Sequence, residues 1–539
     1  MAEVSSLWQL FQQAVSAAPQ QEALLDPPNR AALCGTPAQR LNFSEAQQAA
    51  LGIAAQFHDS GLRAGDIVLV QLPNIVELPL LYLAAARLGL IISPAPVQYQ
   101  SHELRMIIDS THPRAVVSCS RFKDENLQAH FEGLTPKSTL KFSIDSNTDG
   151  WIALDTSLAS GELTELPVPD REALFTLCWT SGTTGTPKGV PRRHRHWLAM
   201  IPAFEDATAL PKGAAMVAPF PMVNMAAISV FLVYWLSVHG KLALHHPLDL
   251  PVFLQQIEEE KALYTVAPPA LLSLLLAKPE LMNSRDLSSL KVIGSGSAPL
   301  APSMISGFKE KLGVDVVNMF GSNEGCCLVS DVIDVPDPQA RASLFPRFGA
   351  PNLKWHNRIA EVFHTRLLDV DSGEVIDRAG QPGELVIKGD TVFEGYWHSS
   401  EANAALFDSE GYFRTGDLFE ITGENDAFYR FVGRCKDLIV RGGMKISPEE
   451  IDQLLAGHPS IQEAAVAPYP DEHLGQRIAA FVVSDQPVSV EDLSSHLENC
   501  GLAKFKWPEK VVAIEALPRN PLGKVLRHEL AKDLECSEG

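Results

Sequence analysis

What most constrains this chain is a pattern that repeats over residues 1 to about 435: a short apolar run, a loop of small residues, then a helical stretch. Residues 66–74 read as a strand entering a turn, and Leu78–Leu88 as a helix. Residues 115–120, 176–182, 289–296 and 315–322 read as strands that end in small-residue loops. Strand, glycine-bearing loop and helix in succession predict an α/β architecture. Ligand chemistry in such folds gathers at the carboxyl ends of the strands, where these loops lie. After Arg434 the style changes to short strands and short helices, which predicts a small α+β domain over 436–539, following a large domain over 1–435. Ser447 is expected to cap a helix that starts at Pro448, with Glu450 completing a capping box.

Charge narrows the range of partners. The chain has 539 residues, with 65 acidic against 44 basic side chains and a formal net charge of −21. A broad nucleic-acid or membrane surface needs a basic face, so neither is expected. A small anionic substrate stays open, because a local pocket can oppose the global charge. The first eleven residues lack a basic stretch followed by an apolar one, so no signal peptide is expected. The longest uncharged apolar run, Met225–Val238, is too short to span a bilayer and suits a buried helix. The eight cysteines are scattered with no C-x-x-C pair, which speaks against zinc and dithiol sites. Free thiols in a reducing cytoplasm are the expectation.

The densest local signal runs from Thr180 through Ser181, Gly182, Thr183, Thr184 and Gly185 to Lys188 and Gly189. Glycines let backbone N–H groups turn inward, hydroxyls donate, and the lysine adds a point charge. That combination suits a polyphosphate. It is not a Walker A loop, since no Gly-Lys-Ser/Thr closes it. The competing reading is a polar surface turn.

Further segments follow in order. They are Ser295-Gly296-Ser297-Ala298-Pro299, Phe320-Gly321-Ser322-Asn323-Glu324, Thr415-Gly416-Asp417, Gly433-Arg434-Cys435-Lys436, and an LPRN-x-x-GK stretch ending at Lys524. Together the series resembles the acyl-adenylate-forming superfamily: acyl-CoA synthetases, stand-alone adenylation domains and firefly-type luciferases. The resemblance spans almost the whole chain. It implies a large multi-layer N-terminal α/β domain with a small mobile C-terminal lid.

By that resemblance the cofactors and co-substrates are ATP, Mg²⁺ and coenzyme A. Thr183, Thr184 and Lys188 would hold the departing phosphates, and Gly296, Ser297, Ala298 and Pro299 would contact adenine. Phe320 would pack on adenine, Glu324 would hold Mg²⁺, and Asn323 would reach the α-phosphate. Asp417 would bind the ribose and Arg434 the ribose or a phosphate, with Lys436 at the hinge. Lys524 would bridge the attacking carboxylate and the phosphate, two anions that need a cation between them. Taken singly, Asp417 and Arg434 read as a surface ion pair.

Two features depart from the family pattern or stand apart from it. Met222 takes the place of a histidine that often precedes the acyl pocket, which makes the wall more apolar. Residues Pro191–His196 form a basic cluster that would either guide ATP or coenzyme A phosphates or form a solvated or ion-paired turn. The acyl pocket is expected from Met222, Val223, Asn224, Met225, Ser295, Gly296, Gly325, Cys326 and Cys327. No charged side chain stands among them, so a hydrophobic monocarboxylic acid, fatty or aromatic, is the expected substrate. The acyl group would pass to coenzyme A once the lid turns and the Gly442-Gly443 loop enters. The alternatives are loading of a carrier-protein thiol, since aryl-acid activators share Pro191-Arg192-x-His194, a luciferase-like oxygenase, and a non-catalytic nucleotide sensor.

Overall fold

A computed structural model of the chain describes residues 4–145, 149–156, 166–180, 187–442, 444–471, 473–519 and 525–536. Four sheets organise it. The first has seven strands, in the order Ile152–Ala153, Leu140–Ser143, Ala115–Ser118, Ile67–Val70, Ile91–Pro94, Leu174–Thr180 and Lys188–Arg193. All neighbours run parallel except the last pair. The second has eight strands, and the parallel run Ala215–Ala218, Tyr264–Val266, Val292–Gly296 and Asp315–Gly321 forms one half of it. Strands such as Ile67–Val70 are apolar at every position and buried at every position. That is the signature of a parallel sheet covered on both faces.

The helix Glu77–Leu88 is buried along all twelve residues, and one core cluster joins it to strands of both sheets. A helix buried all round belongs at the centre of a layered domain. The run Met225–Val238 is helical throughout and buried from Ala227 onward. Among the described residues no helix is long and apolar enough to cross a membrane. An antiparallel six-stranded sheet takes in strands from Leu344–Pro346 to Phe428–Arg434. The fourth sheet starts at Ile439–Arg441 and has hydrophobic clusters of its own. The fold is thus a large N-terminal α/β domain followed by a smaller C-terminal one.

The expected strands and helices lie where the pattern put them, within two or three residues at most ends. The capping box does not form. Ser447 is the N-cap residue and Pro448 opens the helix Pro448–Leu455, but the Ser447 side chain makes no cap hydrogen bond. Its hydroxyl donates instead to the Val432 carbonyl of the preceding sheet, and Glu450 pairs with Lys506 at 2.6 Å. Tertiary partners outcompete the local cap.

Candidate active site

The strand Leu174–Thr180 and the strand Lys188–Arg193 pair antiparallel, with Thr180 opposite Lys188. The glycine- and hydroxyl-rich connection therefore leaves and returns at one point of the sheet edge. Ser181, Gly182, Thr183, Thr184 and Gly185 lie outside the described residues, as do Gly443 and Lys524. Lys188 is half-buried, and its ammonium stands 4.9 Å from the centroid of the Tyr396 ring.

In the second sheet Val292–Gly296 and Asp315–Gly321 are parallel neighbours, Gly296 opposite Met319. Their carboxyl ends deliver Ser297–Pro299 and Phe320–Glu324 side by side. Ser297, Ala298 and Pro299 are exposed, and Ser297 adopts φ 69°. A side chain in that left-handed region costs about 1 kcal/mol or more. Phe320 rests on an aromatic cluster, 5.1 Å from Phe419 and 5.3 Å from Phe431, and keeps part of its ring open.

The turn after Phe320 is tied in from several directions. Asn323 Oδ1 accepts from the Met225 N–H at 2.8 Å, and its amide donates to the Trp179 carbonyl at 3.3 Å. Asn323 therefore links the strand before Thr180 to the start of the Met225 helix. An amide has two donors, so one N–H is left for a phosphate oxygen. Glu324 is half-buried, and Tyr396 donates a hydrogen bond to its Oε1 at 2.8 Å. Gly325 has φ 118°, and a Cβ there would sit 2.2 Å from the Thr391 carbonyl oxygen. Only glycine lets these two segments meet.

Arg192 holds the same junction from beneath. It is fully buried and donates to the carbonyls of Asn323 at 2.7 Å and Thr391 at 2.8 Å, while stacking on Trp197. Burial pushes its guanidinium pKa down to about 10. The rest of the basic cluster is also spoken for. Arg193 and Arg195 pair with Glu394 and Glu172, His194 stacks on Phe175 and accepts from the Leu7 N–H, and His196 accepts from the Arg193 N–H. Pro191–His196 is ion-paired, as the second reading had it, but it is the end of a strand and the start of a helix rather than a turn, and Arg192, His194 and His196 are buried rather than solvated.

Asp417 and Arg434 face each other on adjacent strands of the third sheet. Lys436 follows in a turn. Partial burial, with Arg434 and Lys188 close by, lowers its pKa from the usual lysine value.

On the acyl side, Met222, Val223, Met225, Ser295, Cys326 and Cys327 are buried and Asn224 is half-buried at a helix N-cap. Met222 is closed into the core, its N–H on Asn74 and its carbonyl on Tyr82. Two residues earlier, Phe220 opens into a cavity of about 250 Å³ lined also by Gln98, Pro219, His246, Pro247, Leu248, Pro268 and Leu271. This cavity sits at the carboxyl ends of the strands Ala215–Ala218, Lys241–Leu244 and Tyr264–Val266. The sequence reading missed it, because its walls come from four segments separated in sequence.

Among the described residues no three His, Cys, Asp or Glu side chains converge on a metal site. A single carboxylate such as Glu324 fits Mg²⁺ that is shared with substrate phosphates, which needs only one or two protein carboxylates.

The site and fold define a class, the adenylate-forming ligases. The AMP-binding enzyme family matches residues 12–397, and the AMP-binding enzyme C-terminal domain matches residues 450–524; the chain belongs to this family. Similar proteins include a probable CoA ligase, CCL5, of Humulus lupulus, 29% identical over 91% of this chain and 88% of that one. The pyochelin synthase PchD of Pseudomonas aeruginosa is 28% identical over 94% and 91%. ATP-bound MatB from Rhodopseudomonas palustris shares the fold with TM-score 0.80 and 24% identity, covering 98% of this chain and 99% of that one. The anthranilate CoA ligase AuaEII, in complex with anthranoyl-AMP, gives 0.81 at 21% identity, covering 99% and 98%.

Proposed function

We propose that this enzyme joins a hydrophobic monocarboxylic acid to AMP and then transfers the acyl group to coenzyme A. The observation that carries the reading is that Thr180, Lys188, Phe320 and Glu324 meet where two sheets present their carboxyl ends, beside the uncharged segment Met222–Met225. In the first half-reaction the carboxylate attacks the α-phosphorus of ATP and pyrophosphate leaves. Lys188 and the phosphate loop hold the departing charge, and Glu324 would hold Mg²⁺, which neutralises the phosphates. Lys524 would stabilise the charge between the two reacting oxygens. In the second, a thiol attacks the acyl-AMP carbonyl and AMP departs, after a lid turn about Lys436 that brings Gly442 and Gly443 to the site.

The apolar cavity beyond Phe220 supports a substrate with a sizeable tail. At about 250 Å³ it exceeds the roughly 150 Å³ of an apolar cavity that accepts benzene. Arg192 and His194 are fully buried, so neither side chain contacts an incoming thiol donor. Free thiols at the seven cysteines from Cys34 to Cys500 are in keeping with a cytoplasmic enzyme. The test is kcat/KM for straight-chain acids from two carbons upward and for benzoate. Each buried methylene contributes roughly 0.8 kcal/mol, about fourfold per carbon until the cavity fills. A flat profile, or a preference for acetate or an amino acid, would overturn the substrate assignment.

A further inference from the structure

Tyr396 lies far in sequence from both signature motifs yet touches each of them. Its hydroxyl donates to Glu324 Oε1 at 2.8 Å, and the face of its ring carries the Lys188 ammonium at 4.9 Å. Among the described residues neither Lys188 nor Glu324 has an ion-pair partner. A carboxylate and an ammonium close enough to share one phenol would otherwise attract each other strongly in a partly buried site.

The ring is fixed from both sides. Asn403 clamps the Tyr396 backbone, accepting from its N–H at 2.8 Å and donating to its carbonyl at 2.9 Å. The Trp397 N–H donates to the Gly189 carbonyl at 2.8 Å, next to Lys188, and the Phe393 N–H donates to the Glu324 carbonyl at 3.0 Å. The segment 391–397 thus straps the phosphate-loop strand to the Glu324 turn.

We propose that Tyr396 is a positioning residue for adenylation: it keeps Lys188 and Glu324 charged, apart and aimed before the nucleotide arrives. The hydroxyl fixes one oxygen of Glu324 and leaves the other for the metal that travels with ATP. The ring holds Lys188 by a cation–π contact, which orients the ammonium without neutralising it. This rests on the adenylation reading above.

The test is calorimetric titration of the full-length protein with ATP, once with excess Mg²⁺ and once with a chelator. Thermal unfolding of each variant is recorded alongside. Tyr396→Phe removes one oxygen and keeps the ring. Its metal-free ATP affinity should stay within about twofold of the wild type, while the gain from Mg²⁺ should fall on the order of tenfold, the scale of a hydrogen bond to a charged group. Tyr396→Leu also frees Lys188 to pair with Glu324, so metal-free ATP binding should weaken by roughly fivefold as well. Should Tyr396→Leu fail to fold, Tyr396→Phe decides alone. A Tyr396→Phe protein with the wild-type Mg²⁺ gain overturns the proposal and leaves the adenylation reading standing. A wild-type protein that binds no Mg·ATP overturns both.

Discussion

Asp417 and Arg434 sit opposite each other on adjacent antiparallel strands, with Arg434 Nε 3.1 Å from Asp417 Oδ1. Asp417 is 6% exposed and Arg434 is half-buried. The ladder sets this geometry before any ligand binds, so the carboxylate is already oriented on an interior strand of the third sheet. Asp417→Asn keeps the shape but loses the charge that would strengthen the proposed hydrogen bonds to ribose hydroxyls. ATP affinity should fall roughly 10- to 100-fold, the range for a hydrogen bond to a charged group. Nucleotide titration checks this, and unchanged affinity would remove Asp417 from the ribose site.

Arg192 yields a prediction about stability. It is enclosed among the carbonyls of Asn323, His196 and Thr391. Arg192→Leu strands those acceptors at about 1–3 kcal/mol each where water cannot reach them. A total loss of about 3–5 kcal/mol is expected, read as a clear drop in the thermal midpoint. Exposed pairs are worth far less, so Arg193→Ala should change stability by under about 1 kcal/mol. Equal effects of the two variants would contradict the buried role of Arg192.

The contrast between Arg192 and Arg193 also shows where sequence reasoning stops. The strands ending at Thr180, Gly296 and Gly321 were legible because apolar runs closed by small residues repeat. The ligand-side series from Lys188 to Lys436 was legible as ordered motifs. Nothing local separates Arg192 from Arg193: one enters the core and the other pairs with Glu394, 201 residues away. Tyr396 carries no signal of its own either, since its meaning comes from Glu324, 72 residues earlier. The capping box at Ser447 failed for the same reason. A side chain that can bond locally was taken by a partner from another domain.

Buried histidines set a pH dependence. Burial lowers His194, His196 and His246 to a pKa of about 4. The unfolded chain takes up these protons below about 6.5 while the folded one does not. Their contribution is therefore complete above pH 6.5 and is lost as pH falls toward 4. The loss amounts to about 1.4 kcal/mol per pH unit for each group. Burial raises Asp26 and Asp452 to about 6, which opposes the trend between about pH 4 and 6. Three such histidines outweigh two such acids, so denaturant midpoints should decline from pH 7 to pH 5. In His194→Phe the slope should fall by about one proton; an unchanged slope would mean that His194 titrates normally in the fold.

On the proposed mechanism, substitutions at Lys524 and at Lys436 separate the two half-reactions. Lys524→Ala should lose on the order of 10² to 10³ in adenylation rate, with thioester formation from supplied acyl-AMP much less affected. Lys436→Pro fixes φ at the proposed hinge, so adenylation should survive while thioester formation fails. Pyrophosphate release and single-turnover thioester formation read the two steps. Equal loss of both steps in Lys524→Ala would make that lysine structural.

The most direct test follows the phosphorus. The protein is incubated with Mg·ATP and a panel of hydrophobic acids, with and without coenzyme A, and every nucleotide product is identified. The account predicts pyrophosphate that depends on the acid, and AMP with acyl-CoA in equal amounts once the thiol is present. Formation of ADP and inorganic phosphate, or no acid-dependent cleavage of ATP at all, would contradict it.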